Sequence, residues 1–330
     1  MTRPDAHSTT RSASVTRRAP SGRALALIGA ATSGSLLSVQ SRMNGVISEH
    51  SGRPVEAALW SFGSGLVVLT LMVLLVPRIR RALAEIPKAL RDNRLRWWQC
   101  IGGASGGLLV AVQSWSVPLV GVAIFSIGVV GGQTLSALVV DRAGLGPGGV
   151  QHITVARVAA AALAVIGVVV SATAHSGGQD VSFAPAAAAF GVGLLLAAQQ
   201  AVNGRVNKVV GHTMATTWQN FFVGVVVLVL VAAVQAIVSE GPWTLPTGAP
   251  WWAWFGGLLG IGVIGIMAWA VGEIGVLVFG LVSVAGQLLA ALVLDLIDAS
   301  ARDDVGVQLV LGLLITLVAA AGAGWAASRA

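Results

Sequence analysis

Charge is what this sequence lacks. Asp, Glu, Lys and Arg make up 10% of its 330 residues, where a soluble domain carries about 25%. That excludes an ordinary water-soluble domain. Stretches such as Val223–Val238 and Leu309–Ala327 hold no charge at all. Cysteine is nearly absent as well: Cys100 stands alone, so no internal disulfide can form. Acid is missing from the centres of the apolar runs, since Glu56, Asp141, Glu273 and Asp295 all fall at run ends. Proton pumps usually place a carboxylate or histidine inside the membrane, so a buried-carboxylate proton relay is not expected. His7, His50, His152, His175 and His212 fall in the tail, loops or run edges and do not cluster with cysteine. No metal site and no cofactor are expected. No Gly-Lys-Ser/Thr occurs, which excludes a Walker-type phosphate loop and built-in ATP hydrolysis.

What is present is apolar. Hydrophobic residues reach 55% and the mean hydropathy is +0.84. In hydrocarbon every backbone N–H and C=O must be satisfied internally, so long apolar runs must be helices. About 20 residues cross the roughly 30 Å core. Runs of that length number ten: approximately 24–47, 54–76, 97–116, 119–140, 152–174, 184–206, 213–238, 250–271, 274–295 and 306–327. Residues 1–23 are polar, rich in Ser, Thr and Arg, and read as a disordered cytoplasmic tail. Arg17-Arg18 lacks the flanks of a twin-arginine signal.

The net charge of +7 is mainly an arginine charge and sits between the spans. Its partner is then the membrane surface and not nucleic acid. With a cytoplasmic N-terminus, seventeen Lys and Arg fall on one side of the membrane. Three, Arg42, Arg53 and Arg302, fall on the other. This asymmetry places both termini in the cytoplasm and requires an even number of spans. The basic stretch Pro77–Arg96 reads as a solvated loop that fixes topology, and Pro87 favours that reading. Ile79, Leu83, Ile86 and Leu90 recur at helical spacing, so the rival is a basic amphipathic helix on the inner leaflet.

The chain repeats itself. At an offset of 159, Gly34-x5-Gln40-x3-Asn44-Gly45 returns as Gly193-x5-Gln199-x3-Asn203-Gly204, and Gly52, Phe62 and Gly65 return as Gly211, Phe221 and Gly224. At an offset of 154, Trp97-Trp98, Gly102-Gly103, Gly106, Trp115, Gly121, Phe125, Gly132-Gln133, Leu135 and Asp141 return. Their partners are Trp251-Trp252, Gly256-Gly257, Gly260, Trp269, Gly275, Phe279, Gly286-Gln287, Leu289 and Asp295. The change of offset falls in the loop before the third span, where loops tolerate it. A unit of five spans is odd, so two in tandem must lie oppositely in the membrane. The fold expected is an all-α membrane protein of about ten transmembrane helices, arranged as a five-plus-five inverted-topology repeat. Such repeats mark secondary transporters, in which one half rocks against the other. The expected divisions are the tail, 1–23; a first five-helix repeat, 24–174; an extracytoplasmic linker, 175–183; and a second five-helix repeat, 184–330.

This arrangement resembles the drug/metabolite transporter superfamily. The run GSLLSVQSRMNGVISEHSGRPVEAALWSFGSG and its copy GVGLLLAAQQAVNGRVNKVVGHTMATTWQNFFVG resemble the YdcZ-like branch of inner-membrane exporters. In that branch the Gln-x3-Asn pattern near the end of the first span recurs, in single five-span and fused ten-span forms. The resemblance covers roughly residues 24–328. It implies an exporter in the plasma (inner) membrane, and the direction of transport rests on it alone. It transfers no functional residue. The lack of an intramembrane acid departs from the small multidrug resistance relatives.

Candidate site residues follow from polarity inside spans. Gln40 and Asn44 are four apart and share one helix face, as do Gln199 and Asn203. Buried amides need partners. They either line a central cavity and bind substrate or bond helix to helix, and duplication suits both. Gln133 and Gln287 lie within the fourth and ninth spans and are further candidates. On the same stripes Asp141 and Asp295 close their helices and are expected to be solvated. The paired tryptophans Trp97-Trp98 and Trp251-Trp252 suit interfacial anchoring; Trp115 and Trp269 could flank a substrate route. Gly102-x3-Gly106, Gly103-x3-Gly107, Gly128-x3-Gly132 and Gly256-x3-Gly260 allow close helix packing.

Other motif matches fail on context. Gly144-x-Gly146-x-x-Gly149 and Gly260-x-Gly262-x-x-Gly265 fit a dinucleotide pattern without a preceding strand. Gly103-Ala104-Ser105-Gly106 matches the serine motif of rhomboid-type proteases, but no base is in reach, and the repeat partner of Ser105 is Leu259. The chain is not expected to be an enzyme. The function expected is a secondary-active or facilitative transporter exporting a small metabolite or amphipathic compound by alternating access; the alternative is a membrane scaffold or assembly partner. The partners expected are a small-molecule substrate and the lipid bilayer, with a homodimer as the oligomer considered.

Overall fold

The computed structural model describes residues 20–145, 150, 152–173, 183–238, 248–274, 276–299 and 301–327. Most of the expected tail, most of the expected linker and Gly146–Gly149 of the dinucleotide-like match lie outside the described residues. The last residues assigned to the tail, Pro20–Arg23, open the first helix.

Among the described residues ten α-helices follow in order: α1 Pro20–Ser51, α2 Pro54–Leu75, α3 Pro77–Arg91, α4 Gly103–Arg142, α5 Val155–Ala172, α6 Ala184–Val210, α7 Thr213–Val238, α8 Gly256–Ile274, α9 Val276–Ile297 and α10 Val307–Ala327. Short 3-10 turns at Trp97–Ile101 and Trp251–Phe255 lead into α4 and α8. No strand occurs among the described residues.

The helix count matches the span count only by coincidence. α4 runs 40 residues, about 60 Å at 1.5 Å per residue and so twice the hydrocarbon core. It breaks at Gly121, where φ is 78° and ψ is 169°, a conformation open to glycine and strained for other residues. Pro118, three residues earlier, removes a helical N–H. The two halves of α4 are the third and fourth spans. Among the described residues seven helices are long and apolar enough to cross a membrane, α4 among them, and the apolar stretches Trp251–Met267 and Val307–Gly322 are shorter. Counting α4 twice and adding α8 and α10 gives the ten spans.

The remaining helix, α3, corrects the solvated-loop reading of Pro77–Arg96. Residues 77–91 form a helix that begins with Pro77 in its first turn, where a proline costs no hydrogen bond. Ile79, Ile86 and Ala89 are buried, with Leu83 and Leu90 partly so, in a cluster with Val206 and Val210 of α6 and Ala215 of α7. Pro87 does not end the helix. A helix-interior proline costs about 3 kcal/mol, while burying each large aliphatic side chain returns about 1.5–3 kcal/mol. The apolar face outweighs the proline.

The repeats are interleaved. α1 packs along α8 and α9, and α6 packs along α4. The first span of each repeat is thus set into the third and fourth spans of the other. Glycines permit this. A Cβ at Gly34 would lie 2.8 Å from the Gln287 backbone nitrogen, and one at its repeat partner Gly193 would lie 3.0 Å from Val129 Cα. Main chains therefore meet at equivalent places in the two bodies, as small residues allow in membranes. Between the repeats α2 faces α7 and α5 faces α10. Trp218 Nε1 of α7 donates to Thr70 Oγ1 of α2 at 2.9 Å.

Ends alternate as the inverted repeat requires. Val73 near the end of α2, Leu95, Val206 and Val210 at the end of α6 and Ala215 at the start of α7 share one cluster with α3. Val46 and Ile47 of α1, Ala57 of α2 and Ala253 before α8 share another.

Candidate functional site

The four paired amides sit in two matching settings. On α1, Gln40 and Asn44 face the glycines of α8. A Cβ at Gly260 would lie 3.2 Å from Gln40 Nε2, and one at Gly256 would lie 2.8 Å from Asn44 Oδ1. On α6, Gln199 and Asn203 face Gly106 of α4 and Gly102 at its N-cap. A Cβ at Gly106 would lie 2.9 Å from Gln199 Nε2, and one at Gly102 would lie 2.7 Å from Asn203 Oδ1. Each amide therefore occupies the space that a side chain larger than glycine would take.

Second-span residues complete each setting. Ser61 of α2 lies beside Asn44: its Oγ would be 3.5 Å from the same Gly256 Cβ. Its repeat partner, Asn220 of α7, stands beside Gln199, with Nδ2 3.8 Å from the Gly106 Cβ position. Phe62 reaches the Gly106 position at 3.3 Å, and Phe221 reaches the Gly260 position at 3.6 Å. The two phenyl rings stack on each other with centroids 4.8 Å apart. Two half-sites thus flank one aromatic pair: Gln40, Asn44 and Ser61 on one side, Gln199, Asn203 and Asn220 on the other.

The half-sites hold polar atoms without protein partners. Both amide atoms of Asn44, the Ser61 hydroxyl, Gln199 Oε1 and Asn220 Oδ1 make no hydrogen bond to a protein group. Asn44 and Ser61 are buried. Leaving a buried polar group unpaired costs about 1–3 kcal/mol. Their packing reading, helix-to-helix hydrogen bonding, has no bond to support it at Asn44.

The remaining candidates lie elsewhere. Gln133 Nε2 donates to Gln200 Oε1 at 2.9 Å in an exposed pair joining α4 to α6. Gln287 is half-buried on α9, and its backbone oxygen accepts from Ser38 Oγ at 2.7 Å. Trp115 and Trp269 are 38% and 48% exposed, and the Trp269 ring lies against Gly29 of α1. Neither indole is brought to the phenyl pair. Trp97 and Trp251 are strongly exposed at the starts of their 3-10 turns.

The family described as "Putative inner membrane exporter, YdcZ" matches residues 25–170 and 184–322, one match on each five-span unit. The chain belongs to this family. It is a multi-pass inner-membrane protein of an exporter family, in the fused two-repeat form. A search of curated proteins finds no match.

One charged group departs from the expectation of solvation at a helix end. Asp295 of α9 is 4% exposed. Its Oδ1 accepts from the Val122 N–H at 2.8 Å and its Oδ2 from the Ala123 N–H at 2.7 Å. These are the first free amides after the break at Gly121, where a helix N-terminus favours a carboxylate. A cleft of about 50 Å³ adjoins them, lined by Arg42, Glu49, Pro118, Asp298 and others. Arg42 pairs with Glu49 at 3.2 Å and with Asp298. The repeat partner of Asp295 behaves differently: Asp141 is partly exposed and pairs with the buried Arg157 of α5.

Ser61 and Asn220 escaped the sequence reading because they differ in type, and a search for identical residues passes over them. Their neighbours Phe62 and Phe221 do repeat and mark the position.

Proposed function

We propose that the chain is a secondary-active or facilitative exporter of a small, neutral metabolite or amphipathic compound, working by alternating access between its inverted repeats. The two moving bodies are α1 with α8 and α9, and α6 with α4. The substrate contacts Gln40, Asn44 and Ser61 in one half-site and Gln199, Asn203 and Asn220 in the other. The Phe62–Phe221 pair separates them. Carrying this reading is the set of buried, unpaired amide and hydroxyl atoms on either side of that pair: those of Asn44 and Ser61 on one side, and of Gln199 and Asn220 on the other. Amides and hydroxyls carry no formal charge, which suits uncharged or zwitterionic groups, and the phenyl rings suit an apolar or aromatic portion.

The basic helix α3 would lie on the cytoplasmic side, as the Lys and Arg asymmetry requires. The cleft at Arg42 would then be extracytoplasmic, with both termini in the cytoplasm. The Asn203 half-site would be nearer the cytoplasm and the Asn44 half-site nearer the outside.

The test is flux. Purified protein in liposomes is assayed with a panel of neutral, anionic and cationic aromatic solutes, alongside Asn44→Ala and Asn203→Ala. Flux of neutral solutes that falls in both variants while both remain folded supports the reading. Absence of flux for every solute class would favour a scaffold or assembly partner. Flux unaltered in both variants would remove the half-sites from the path.

A further inference from the structure

We infer that Asp295 is the latch that holds the extracytoplasmic end shut, and that Asp141 is its counterpart for the cytoplasmic end, engaging when Asp295 lets go. The inference rests on the alternating-access reading above.

Asp295 belongs to α9, which packs with α1 and α8. Val122 and Ala123 belong to α4, which packs with α6. The two hydrogen bonds from these amides to Asp295 therefore cross from one body to the other. Arg42 and Asp298, by contrast, pair within one body. Opening the extracytoplasmic end by separating the bodies must break the Asp295 contacts.

The amides exist because the helix breaks. Gly121 frees the N–H groups of Val122 and Ala123 from the preceding turn. A Cβ at Gly121 would lie 2.8 Å from Asp295 Oδ2, so the residue that makes the break also makes room for the carboxylate. The buried carboxylate loses hydration, and hydrogen bonds to two amides at a helix N-terminus offset that loss. Arg42, Glu49 and Asp298 are the charged groups lining the adjoining cleft. With three acids to one arginine, the amides supply the local positive end.

The repeat then predicts a mirror arrangement. At the offset of 154, Gly121 corresponds to Gly275, Val122 and Ala123 to Val276 and Leu277, and Asp295 to Asp141. Val276 is the first residue of α9, as Val122 opens the second half of α4. Asp141 has the chemistry to take the Val276 and Leu277 amides at the cytoplasmic end. Here it pairs with Arg157 instead. The residue at that offset from Arg157 is Leu311, so Asp295 has no matching competitor on α10. The two carboxylates are thus in different states: one holds its end across the bodies, and the other is held by Arg157 away from that role.

The test needs no substrate. In a Cys100→Ala background, Val117→Cys, at a buried position, reports on the extracytoplasmic end, and Glu273→Cys, at a partly exposed position at the end of α8, reports on the cytoplasmic end. Each is labelled with a membrane-impermeant thiol reagent from its own side. An asparagine in place of Asp295 offers one acceptor and turns an NH2 toward an N–H donor, so Asp295→Asn weakens the latch. It is expected to raise labelling of Val117→Cys about tenfold and to lower labelling of Glu273→Cys. Asp141→Asn is expected to do the reverse. Arg157→Gln frees Asp141 and should act in the same direction as Asp295→Asn. Asp295→Ala is a second variant in case asparagine retains enough of the contact.

Thermal unfolding in detergent accompanies each variant, because a static helix cap would lose stability without a directional bias. Labelling that rises at both ends together, or changes at neither, would overturn the latch. Asn44→Ala and Asn203→Ala keep the two hypotheses apart. If they trade reactivity between the reporters while the aspartate variants do not, alternating access stands and the latch falls. If no variant trades reactivity, both fall.

Discussion

Phe62 and Phe221 are repeat counterparts, 159 positions apart, that stack with their ring centroids 4.8 Å apart and planes inclined by 25°. Each ring also fills the space left by the other repeat's glycine: Phe221 lies over Gly65 and Phe62 over Gly224. The pseudo-twofold relation between the repeats is thus embodied in one aromatic contact between α2 and α7.

The first prediction concerns this contact. Phe62→Leu and Phe221→Leu keep most of the apolar volume and remove the stack. An aromatic pair contributes about 0.5–1.5 kcal/mol beyond its area burial. The double variant should therefore lose less stability than the sum of the single variants, by about that amount, in denaturant unfolding in detergent. Strictly additive losses would show that the rings fill space without coupling the repeats.

A second prediction separates binding from packing at the amides. Neither amide atom of Asn44 bonds to protein, so Asn44→Ala removes polar atoms that stabilise nothing within the fold. Its stability should stay within about 1 kcal/mol of the parent or rise. An interhelical hydrogen bond in a membrane averages only about 0.6 kcal/mol. Flux should fall more steeply than stability, because a substrate group left unpaired costs more. A large stability loss with a proportionate flux loss would instead mark Asn44 as structural.

The fold was largely legible in the sequence because the constraint of lipid is severe. Apolar length and the repeat together led to ten spans and the five-plus-five arrangement. The paired Gln and Asn residues were legible because polarity inside a span is conspicuous. The partners of these amides were not legible: Gly256, Gly260, Gly102 and Gly106 carry no polar signal, and they act by leaving room. Asp295 was misread as a solvated helix end because its partners are backbone amides on α4, exposed by a break at Gly121 more than 170 positions away in sequence. No spacing rule records an acceptor of that kind.

The third prediction follows from the corrected reading of α3. If its apolar face docks on α6 and α7, Ile86→Asp should detach it. A buried, unpaired carboxylate there should cost several kcal/mol and expose α3 to proteolysis. Arg78→Gln and Arg81→Gln on the exposed face should leave stability within about 0.5 kcal/mol. Equal tolerance of all three substitutions would return the segment to a solvated loop.

The fourth prediction addresses orientation, on which the assignment of inside and outside depends. In a Cys100→Ala background, Arg91→Cys places a thiol at the exposed end of α3, and Asp303→Cys places one in the turn between α9 and α10. Seventeen basic residues favour the cytoplasm for the α3 side. Arg91→Cys should therefore react with a membrane-impermeant reagent only in inside-out vesicles, and Asp303→Cys only in intact cells or spheroplasts. The two positions are separated by an odd number of spans, since seven of the ten lie between them. Reaction from the same side would break the parity that makes the repeats inverted. Reaction from opposite sides with the assignments exchanged would keep the inverted fold and reverse the orientation, moving the Asp295 latch to the cytoplasmic end. The experiment thus tests the fold's symmetry and its sense across the membrane as separate results.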